Sequence, residues 1–157
     1  MGRRSTPPLP TSPGIYVILL EASAGRRIRV GALGTLAIEP GFYGYVGSAH
    51  GPGGLAARVR HHRRRTRLPH WHIDYLRRHT AFREAWIAEG DRDWEHRWAA
   101  ALADDPSASI PLARFGATDC TCRSHLFRFD ARPHLSNFMQ KLGARAARVG
   151  PEPPPTA

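Results

Sequence analysis

The sequence of 157 residues is poor in cysteine and in long apolar runs, and each shortage excludes a class of protein. Its two cysteines, Cys120 and Cys122, are too few and too close together for the disulfide framework of a small secreted domain. No run approaches the roughly 18 to 20 apolar residues that cross a membrane. No apolar segment follows the N-terminal arginines, which predicts that there is no secretory signal and that the protein is cytoplasmic.

Negative charge is scarce beside positive charge. The chain has 23 lysine and arginine residues and 13 aspartate and glutamate residues, so its formal net charge is +10. Lysine occurs only at Lys141. Codon bias can explain why arginine replaces lysine, but it does not explain the excess of positive charge. Such an excess favours polyanionic partners, nucleic acid first and anionic membrane surfaces second.

The motifs of nucleotide-binding enzymes are also missing. The glycine-rich segment GSAHGPGG, residues 47–54, lacks the Gly-Lys-Ser/Thr ending that a phosphate-binding P-loop requires. The chain has no dinucleotide-binding fingerprint either. These absences exclude a nucleotide hydrolase of the P-loop type.

Strand and helix patterns alternate along the chain. Short apolar, β-branched or aromatic runs predict strands over 14–20, 28–30, 42–47, 82–88 and 125–129. Apolar and boundary patterns predict helices over 55–65, 71–79, 91–105 and 134–149. This order predicts a small α+β domain with a mainly antiparallel sheet flanked by helices. The proline-rich ends, residues 1–12 and 150–157, are expected to be disordered tails.

The most basic part of the chain is the predicted helix over 55–65. At about 100° per residue, its buried face consists of Leu55, Ala56 and Val59. A stripe beside that face carries Arg58, His61 and Arg65, and the side chains that point away are Arg60, Arg64 and Arg67. A guanidinium on the flanking stripe can hold a phosphate with two hydrogen bonds. Contacts with nucleic acid are therefore assigned to Arg58, Arg60, Arg64 and Arg65, whereas a charged face with no partner but solvent is the alternative for the outward arginines.

A single carboxylate in the predicted helix over 91–105 is the candidate metal ligand. Glu95 lies at the edge of the apolar face, beside Trp98 and Leu102. A carboxylate at such an edge needs a neutralising partner, and a divalent metal ion would supply one. The alternative is that Glu95 lies in the first helical turn because the helix dipole favours a carboxylate there.

Four features in this order resemble the GIY-YIG nuclease superfamily: GIY at 14–16, YVG at 45–47, Arg58 and Glu95. The resemblance covers residues 13–105 and implies a nuclease core that runs strand, strand, helix, helix, strand, helix. The long spacing between the two tyrosine motifs implies an inserted hairpin over 21–40. Residues 106–149 would then be a C-terminal extension packed on the core.

The resemblance also implies a reaction and a role for each site residue. The reaction is Mg²⁺-dependent hydrolysis of a phosphodiester. By resemblance, Tyr16 helps to deprotonate the attacking water, Tyr45 orients the site, Arg58 binds the scissile phosphate and His61 assists proton transfer. Glu95 would hold the Mg²⁺ ion, with phosphate oxygens and waters as its other ligands.

The expected function is therefore that of a DNA endonuclease, selective for DNA structure and acting in DNA repair or on mobile elements. DNA is expected rather than RNA, with no membrane partner. No separate DNA-binding domain is evident, so targeting would come from the domain itself or from a protein partner. The alternative is a catalytically silent nucleic-acid-binding module. Convergence of Tyr16, Tyr45, Arg58 and Glu95 on one cleft would favour the enzyme.

A second group of possible metal ligands follows later in the chain. Cys120, Cys122 and His125 can begin a zinc site, which His70 or His72 would complete. The Cys-x-Cys spacing is not the common Cys-x-x-Cys, and cysteine is often simply a small buried residue. That spacing favours the structural interpretation over zinc. A zinc-stabilised interaction domain stays open as a third function.

Overall fold

The structure is a computed structural model that describes residues 9–118, 120–143 and 146–151. It confirms the predicted α+β class. In chain order the strands are β1 Gly14–Ala22, β2 Arg26–Val30, β3 Gly34–Ile38, β4 Gly41–Ala49, β5 Ala81–Glu89, β6 Leu126–Phe129 and β7 Ala147–Val149. The helices are α1 Gly54–Arg63 and α2 His72–Arg77 before β5, α3 Asp93–Ala103 after it, and α4 Met139–Leu142 before β7.

Five strands form the central antiparallel sheet, in the order β6-β4-β1-β5-β7. The central strand, β1, is buried over its first seven residues, which explains why its sequence is a continuous apolar run. Tyr16 and Ile18 face a core that includes Leu55 of α1. Ile15 and Val17 face a second core, formed with α3 and the C-terminal segment. The sheet is therefore a middle layer, because apolar side chains cover both of its faces.

The hairpin expected within residues 21–40 is present as a separate two-stranded sheet of β2 and β3. Its register pairs Arg26 with Ile38 and Val30 with Gly34. Val30 and Leu36 are fully buried in the core on the α1 side of the central sheet. The hairpin thus packs beside the main sheet and extends that core.

The prediction of one helix over 134–149 is wrong. Among the described residues of this range, only a 3₁₀ turn at Leu135–Asn137 and the single turn of α4 are helical, and Gly143 follows with φ of 77°. That left-handed backbone ends the helix. The chain then forms β7, whose Val149 pairs with Ala85 of β5. Residues 144 and 145 lie outside the described part of the chain.

The apolar stripe that suggested this helix is nevertheless buried. Leu135, Phe138 and Leu142 all belong to the core beneath α3, and the indole of Trp98 donates to the Leu142 carbonyl oxygen at 3.0 Å. A stripe with helical spacing can therefore be buried by a 3₁₀ turn and one helical turn.

The segment from 106 to 149 supplies both edges of the central sheet. β6 pairs with β4 over Phe42 to Tyr45, and β7 pairs with β5. This segment is thus part of the sheet itself. Among the helices of the described residues, none has the length and apolar composition needed to cross a membrane.

Residues 9–12, which the sequence places in a disordered tail, lie against the start of α1. The backbone N–H groups of Leu55 and Ala56 donate to the carbonyl oxygens of Ser12 at 3.0 Å and Pro10 at 2.8 Å. These contacts satisfy first-turn amides that no side chain caps. The rest of the predicted tails, 1–8 and 152–157, lies outside the described residues.

Candidate functional site

A polar pocket of about 320 Å³ opens where β1, β4, α1 and the start of α3 meet. Its lining comes from β1 and β4, the loop before α1, two helices and the loop before β6. The lining residues are Tyr16, Tyr45, Gly47, Ser48, His50, Gly51, Arg58, Trp71, Arg92, Glu95, His96, Gly116, Cys120 and His125. The four residues whose convergence would favour an enzyme, Tyr16, Tyr45, Arg58 and Glu95, therefore share one pocket.

The two tyrosines form the floor of the pocket. Their ring centroids are 6.5 Å apart, and both side chains are almost fully buried. A Cβ atom at Gly47 would lie 2.5 Å from Cζ of Tyr16, so glycine at this position makes room for the ring. Burial raises the pKa of the Tyr16 phenol above its ordinary value, and the nearby charge of Arg58 offsets this only in part. Both phenols thus carry their protons at neutral pH, because burial also raises the pKa of Tyr45.

The histidine that contacts Tyr16 is His62, the neighbour of His61, to which the sequence analysis assigned proton transfer. Its Nε2 atom lies 2.9 Å from the Tyr16 hydroxyl, and its side chain is buried. His62 follows Leu55 by seven residues and Val59 by three, which places it on the buried face of α1. The same periodicity, applied to the sequence, would have found it.

His61 has a different partner. Its Nε2 atom lies 2.9 Å from Oδ1 of Asp74, and its ring packs edge-on against Trp71 at 4.8 Å. Asp74 also accepts hydrogen bonds from the backbone N–H groups of His70 and Trp71. His61 thus links α1 to the start of α2, and it is not among the residues that line the pocket.

Arg58 reaches the pocket across the face of Trp71. Its Cζ atom lies 4.3 Å from the indole centroid, a cation–π contact that restricts the position of the guanidinium. Such stacking uses the flat face of the guanidinium and leaves the N–H groups at its rim available for hydrogen bonds. The arrangement is suited to binding an anion with two oxygens.

The other predicted nucleic-acid contacts lie outside the pocket. Arg60 and Arg64 are exposed on α1 and just after it. The Nη2 atom of Arg65 donates to the carbonyl oxygen of Thr80 at 3.4 Å. Of the four arginines, only Arg58 lines the pocket, and the other three extend its positive charge over the surface.

Glu95 also lines the pocket, from the first turn of α3. Its Oε1 atom is 3.1 Å from Nδ1 of His125, and its side chain is 19% exposed. Burial by itself raises the pKa of Glu95, but hydrogen bonds from His125 and Ser48 outweigh burial, so that the net shift is downward. Glu95 is therefore ionised at neutral pH.

The predicted cluster of Cys120, Cys122 and His125 is present, and its fourth member is His96. The four potential ligand atoms all lie within 4.8 Å of one another. Neither His70 nor His72, the residues expected to complete the site, belongs to this group. His72 accepts a hydrogen bond from the Gly116 backbone, and His70 packs against Trp71. Nothing near His96 in the sequence signals its role, because the cluster joins α3 to a distant loop.

A family model described as a domain of unknown function, DUF123, matches residues 15–148. The chain belongs to the DUF123 family. The assignment to the GIY-YIG superfamily is therefore wrong. Short glycine and tyrosine motifs on buried strands also arise from packing alone, and Gly47 beside the Tyr16 ring is such a case. No curated protein and no solved structure matches this DUF123 chain.

The buried His62 predicts that the DUF123 domain loses stability as the pH falls. Burial lowers the pKa of His62 from 6.5 to about 3, and the charges of His61, Arg58 and Arg77 add to this more than Asp74 opposes it. Between these two values the unfolded chain binds a proton that the folded chain excludes. The free energy of unfolding should therefore decrease as the pH falls from 6.5 towards 3, by up to about 1.4 kcal/mol per pH unit.

Urea unfolding between pH 7 and pH 4.5 would measure this dependence. His62→Gln keeps a polar side chain but removes the titration, so we expect a shallower pH dependence than in wild type. His134→Gln, at an exposed position, should keep the wild-type slope. Equal slopes in wild type and His62→Gln would contradict the assignment, whatever their absolute stabilities.

Proposed function

We propose that this DUF123 domain is a divalent-metal-dependent endonuclease that hydrolyses phosphodiester bonds in DNA. The observation that carries the proposal is the shared pocket of Arg58, Glu95 and two tyrosines. These residues come from β1, β4, α1 and α3, and each supplies a chemical group that phosphodiester hydrolysis needs. The net charge of +10 supports a polyanionic substrate.

Arg58 is the residue suited to bind the scissile phosphate. A guanidinium can donate two parallel hydrogen bonds to phosphate oxygens. Its contact with Trp71 holds it in place before the substrate arrives. A preorganised cation of this kind stabilises the negative charge that develops on the phosphoryl oxygens in the transition state.

The pocket fits a Mg²⁺ ion at one position. Glu95 is the carboxylate among the lining residues, and its lowered pKa keeps it ionised. Mg²⁺ prefers oxygen ligands and is often held by one or two carboxylates together with substrate phosphate and waters. When bound, it would polarise a phosphoryl oxygen and stabilise the leaving alkoxide.

Tyr16 and His50 have different proposed roles toward the attacking water. Tyr16 keeps its proton, and its hydroxyl is already paired with neutral His62, so Tyr16 orients water rather than deprotonates it. We assign the role of proton acceptor to His50. It lines the pocket, and both of its ring nitrogens are shielded from solvent with no hydrogen-bond partner among the described residues.

A catalytically silent nucleic-acid-binding module is the second candidate. The observation that favours it is that Glu95 is already engaged by His125 and Ser48. A carboxylate committed to those partners has less capacity for a metal ion. In that case Arg58 and the surface arginines would bind the phosphate backbone without cleavage.

A cleavage assay on branched, flapped, nicked and linear DNA, with Mg²⁺ or with EDTA, distinguishes the two functions. The proposal expects cleavage of at least one substrate that requires Mg²⁺. Matched RNA substrates test the preference for DNA. Tight binding with no cleavage across the whole panel would reject the endonuclease and favour the binding module.

Because the exposed surface of α1 is rich in arginine, we expect DNA binding to weaken steeply as the salt concentration increases. Each phosphate that an arginine neutralises releases condensed counterions, so the logarithm of the affinity falls linearly with the logarithm of the salt concentration. Arg60→Glu should weaken DNA binding and flatten that slope without abolishing cleavage. Fluorescence anisotropy of a labelled duplex over a salt series measures both.

The matched control makes the same arginine-to-glutamate change outside α1. Arg29→Glu alters an exposed arginine of the β2–β3 hairpin, outside α1. We expect its binding and salt slope to stay closer to those of wild type. An affinity that does not change with salt, or equal losses in the two variants, would argue against α1 as the binding surface.

A further inference from the structure

We propose that His96, Cys120, Cys122 and His125 bind one Zn²⁺ ion in a closed tetrahedral site. This site adjoins the proposed nuclease site but does not depend on it. Two thiolates and two imidazoles form a ligand set that zinc prefers, whereas Mg²⁺ prefers oxygen. The metal at this cluster is therefore distinct from any ion that Glu95 holds.

The spacing of the four ligand atoms matches the size of a zinc tetrahedron. Zn–S bonds of 2.3 Å and Zn–N bonds of 2.0–2.1 Å place neighbouring ligand atoms about 3.3–3.8 Å apart. Here Nδ1 of His96 lies 3.2 Å from Sγ of Cys122, and Nε2 of His125 lies 3.4 Å from Sγ of Cys120. No pair of the four ligand atoms is separated by more than 4.8 Å. Small side-chain rotations would complete the tetrahedron.

His125 is oriented as a metal ligand would be. Its Nδ1 atom faces Oε1 of Glu95 at 3.1 Å and the carbonyl oxygen of Val46 at 3.2 Å. Both of these atoms accept hydrogen bonds, so Nδ1 carries the proton and Nε2 offers its lone pair to the cluster. A histidine that binds zinc usually donates its other N–H to a carboxylate or a carbonyl in this way.

The backbone fixes His125 as firmly as its side chain does. Its carbonyl oxygen accepts from the N–H of Val46 at 2.9 Å, and its own N–H donates to the carbonyl oxygen of Phe115 at 2.8 Å. The residue is therefore tied to β4 and to the loop before β6. One ligand of the site is rigidly placed before any metal binds.

A zinc ion at this site would order the long connection between α3 and β6. Between α3 and β6 the described residues form no helix and no paired strand beyond a single bridge at Ser109. Such a long irregular connection is uncommon in a compact domain unless something orders it. Cys120 and Cys122 lie in this loop and His96 lies on α3, so zinc would fasten the loop to the helix.

The same loop forms one wall of the pocket. The Phe115 ring lies 6.0 Å from that of Tyr45, and a Cβ atom at Gly116 would lie 2.8 Å from Cε1 of Tyr45. Zinc that holds this loop against α3 would therefore hold Tyr45 and its surroundings in place. With four protein ligands, the site leaves no open position for substrate, which is typical of a structural zinc site.

Metal analysis of the full chain, purified without chelator, tests the proposal. We expect about one zinc per chain in wild type and in His134→Gln, an exposed histidine away from the cluster. Cys120→Ser, Cys122→Ser and His96→Gln should each reduce the zinc content strongly. Glu95→Gln should retain zinc but bind it about 10- to 100-fold more weakly, because Glu95 only orients His125.

Titration of chelator-treated wild type with Co²⁺ provides a second readout, which does not depend on whether the variants fold. A tetrahedral site with two thiolates should give intense visible d–d bands and a sulfur-to-cobalt charge-transfer band, and excess Mg²⁺ should not remove them. Wild type that binds well below one zinc per chain and shows no such bands would overturn the proposal. So would wild-type zinc content in Cys122→Ser and His96→Gln. Neither readout requires DNA cleavage, so a failed cleavage assay leaves this test intact.

Discussion

Replacing Glu95 by glutamine is expected to eliminate the Mg²⁺-dependent cleavage of DNA. Glutamine has nearly the same shape as glutamate, but it lacks the negative charge that holds the ion. A bound metal contributes several kcal/mol to stabilising the transition state, so the rate with saturating Mg²⁺ should fall at least about 10²-fold. Single-turnover cleavage measured over a Mg²⁺ series checks this.

DNA binding should persist in the same variant. Removing a negative charge does not weaken the attraction of a basic protein to a polyanion. Asp93→Asn is the matched control, since Asp93 is an exposed acidic residue in the same first turn of α3. It should cleave like wild type. Equal Mg²⁺-dependent rates in Glu95→Gln and wild type would show that Glu95 does not hold the metal.

An Arg58→Ala variant is expected to cleave about 10²- to 10³-fold more slowly than wild type, even with saturating Mg²⁺. That range is typical for the loss of one preorganised donor to the transition state. The fold should survive, because the lost contact with Trp71 is worth only about 0.5–1 kcal/mol at an exposed or half-exposed site. Single-turnover rates and thermal unfolding, measured on the same protein sample, separate the two effects.

Two further variants test how much of the lost cleavage rate depends on the hydrogen-bonding geometry of the Arg58 guanidinium. Arg58→Lys keeps the charge but cannot make two parallel hydrogen bonds, so its rate should lie between those of wild type and Arg58→Ala. Arg60→Ala removes an exposed arginine from the same helix and should have little effect on turnover. If Arg58→Ala and Arg60→Ala lose the same small amount, Arg58 is only one more surface charge.

The central sheet could be predicted from the sequence because its signals are local. The run from Gly14 to Leu20 is apolar without interruption, and it becomes the strand that is buried on both faces. The C-terminal strand could not be predicted in the same way. The pairing of Val149 with Ala85 joins residues far apart in the chain, and the stripe of Leu135, Phe138 and Leu142 satisfies a helical pattern without a long helix.

The pocket shows the same division between local and distant signals. Arg58 and Glu95, which line the pocket, could be selected from the sequence because each has a distinctive position on its own helix. His62, which contacts Tyr16, lies one residue and about 100° of helix rotation from His61, the histidine selected from the sequence. His96 was missed because its partners, Cys120 and Cys122, come from a loop whose path no local pattern reveals. The family was misassigned because packing alone can account for tripeptides on buried strands.

The pairing of β7 with β5 has a consequence for how far the chain can be shortened. β7 covers the backbone of β5 opposite Ala85 to Ile87, which include the large apolar side chain of Trp86. A chain that ended before Ala147 would leave these N–H and C=O groups unpaired along an apolar strand. Such an edge is a template for pairing with another copy. β7 therefore protects the edge of β5 from pairing with another copy, although none of its residues lines the pocket.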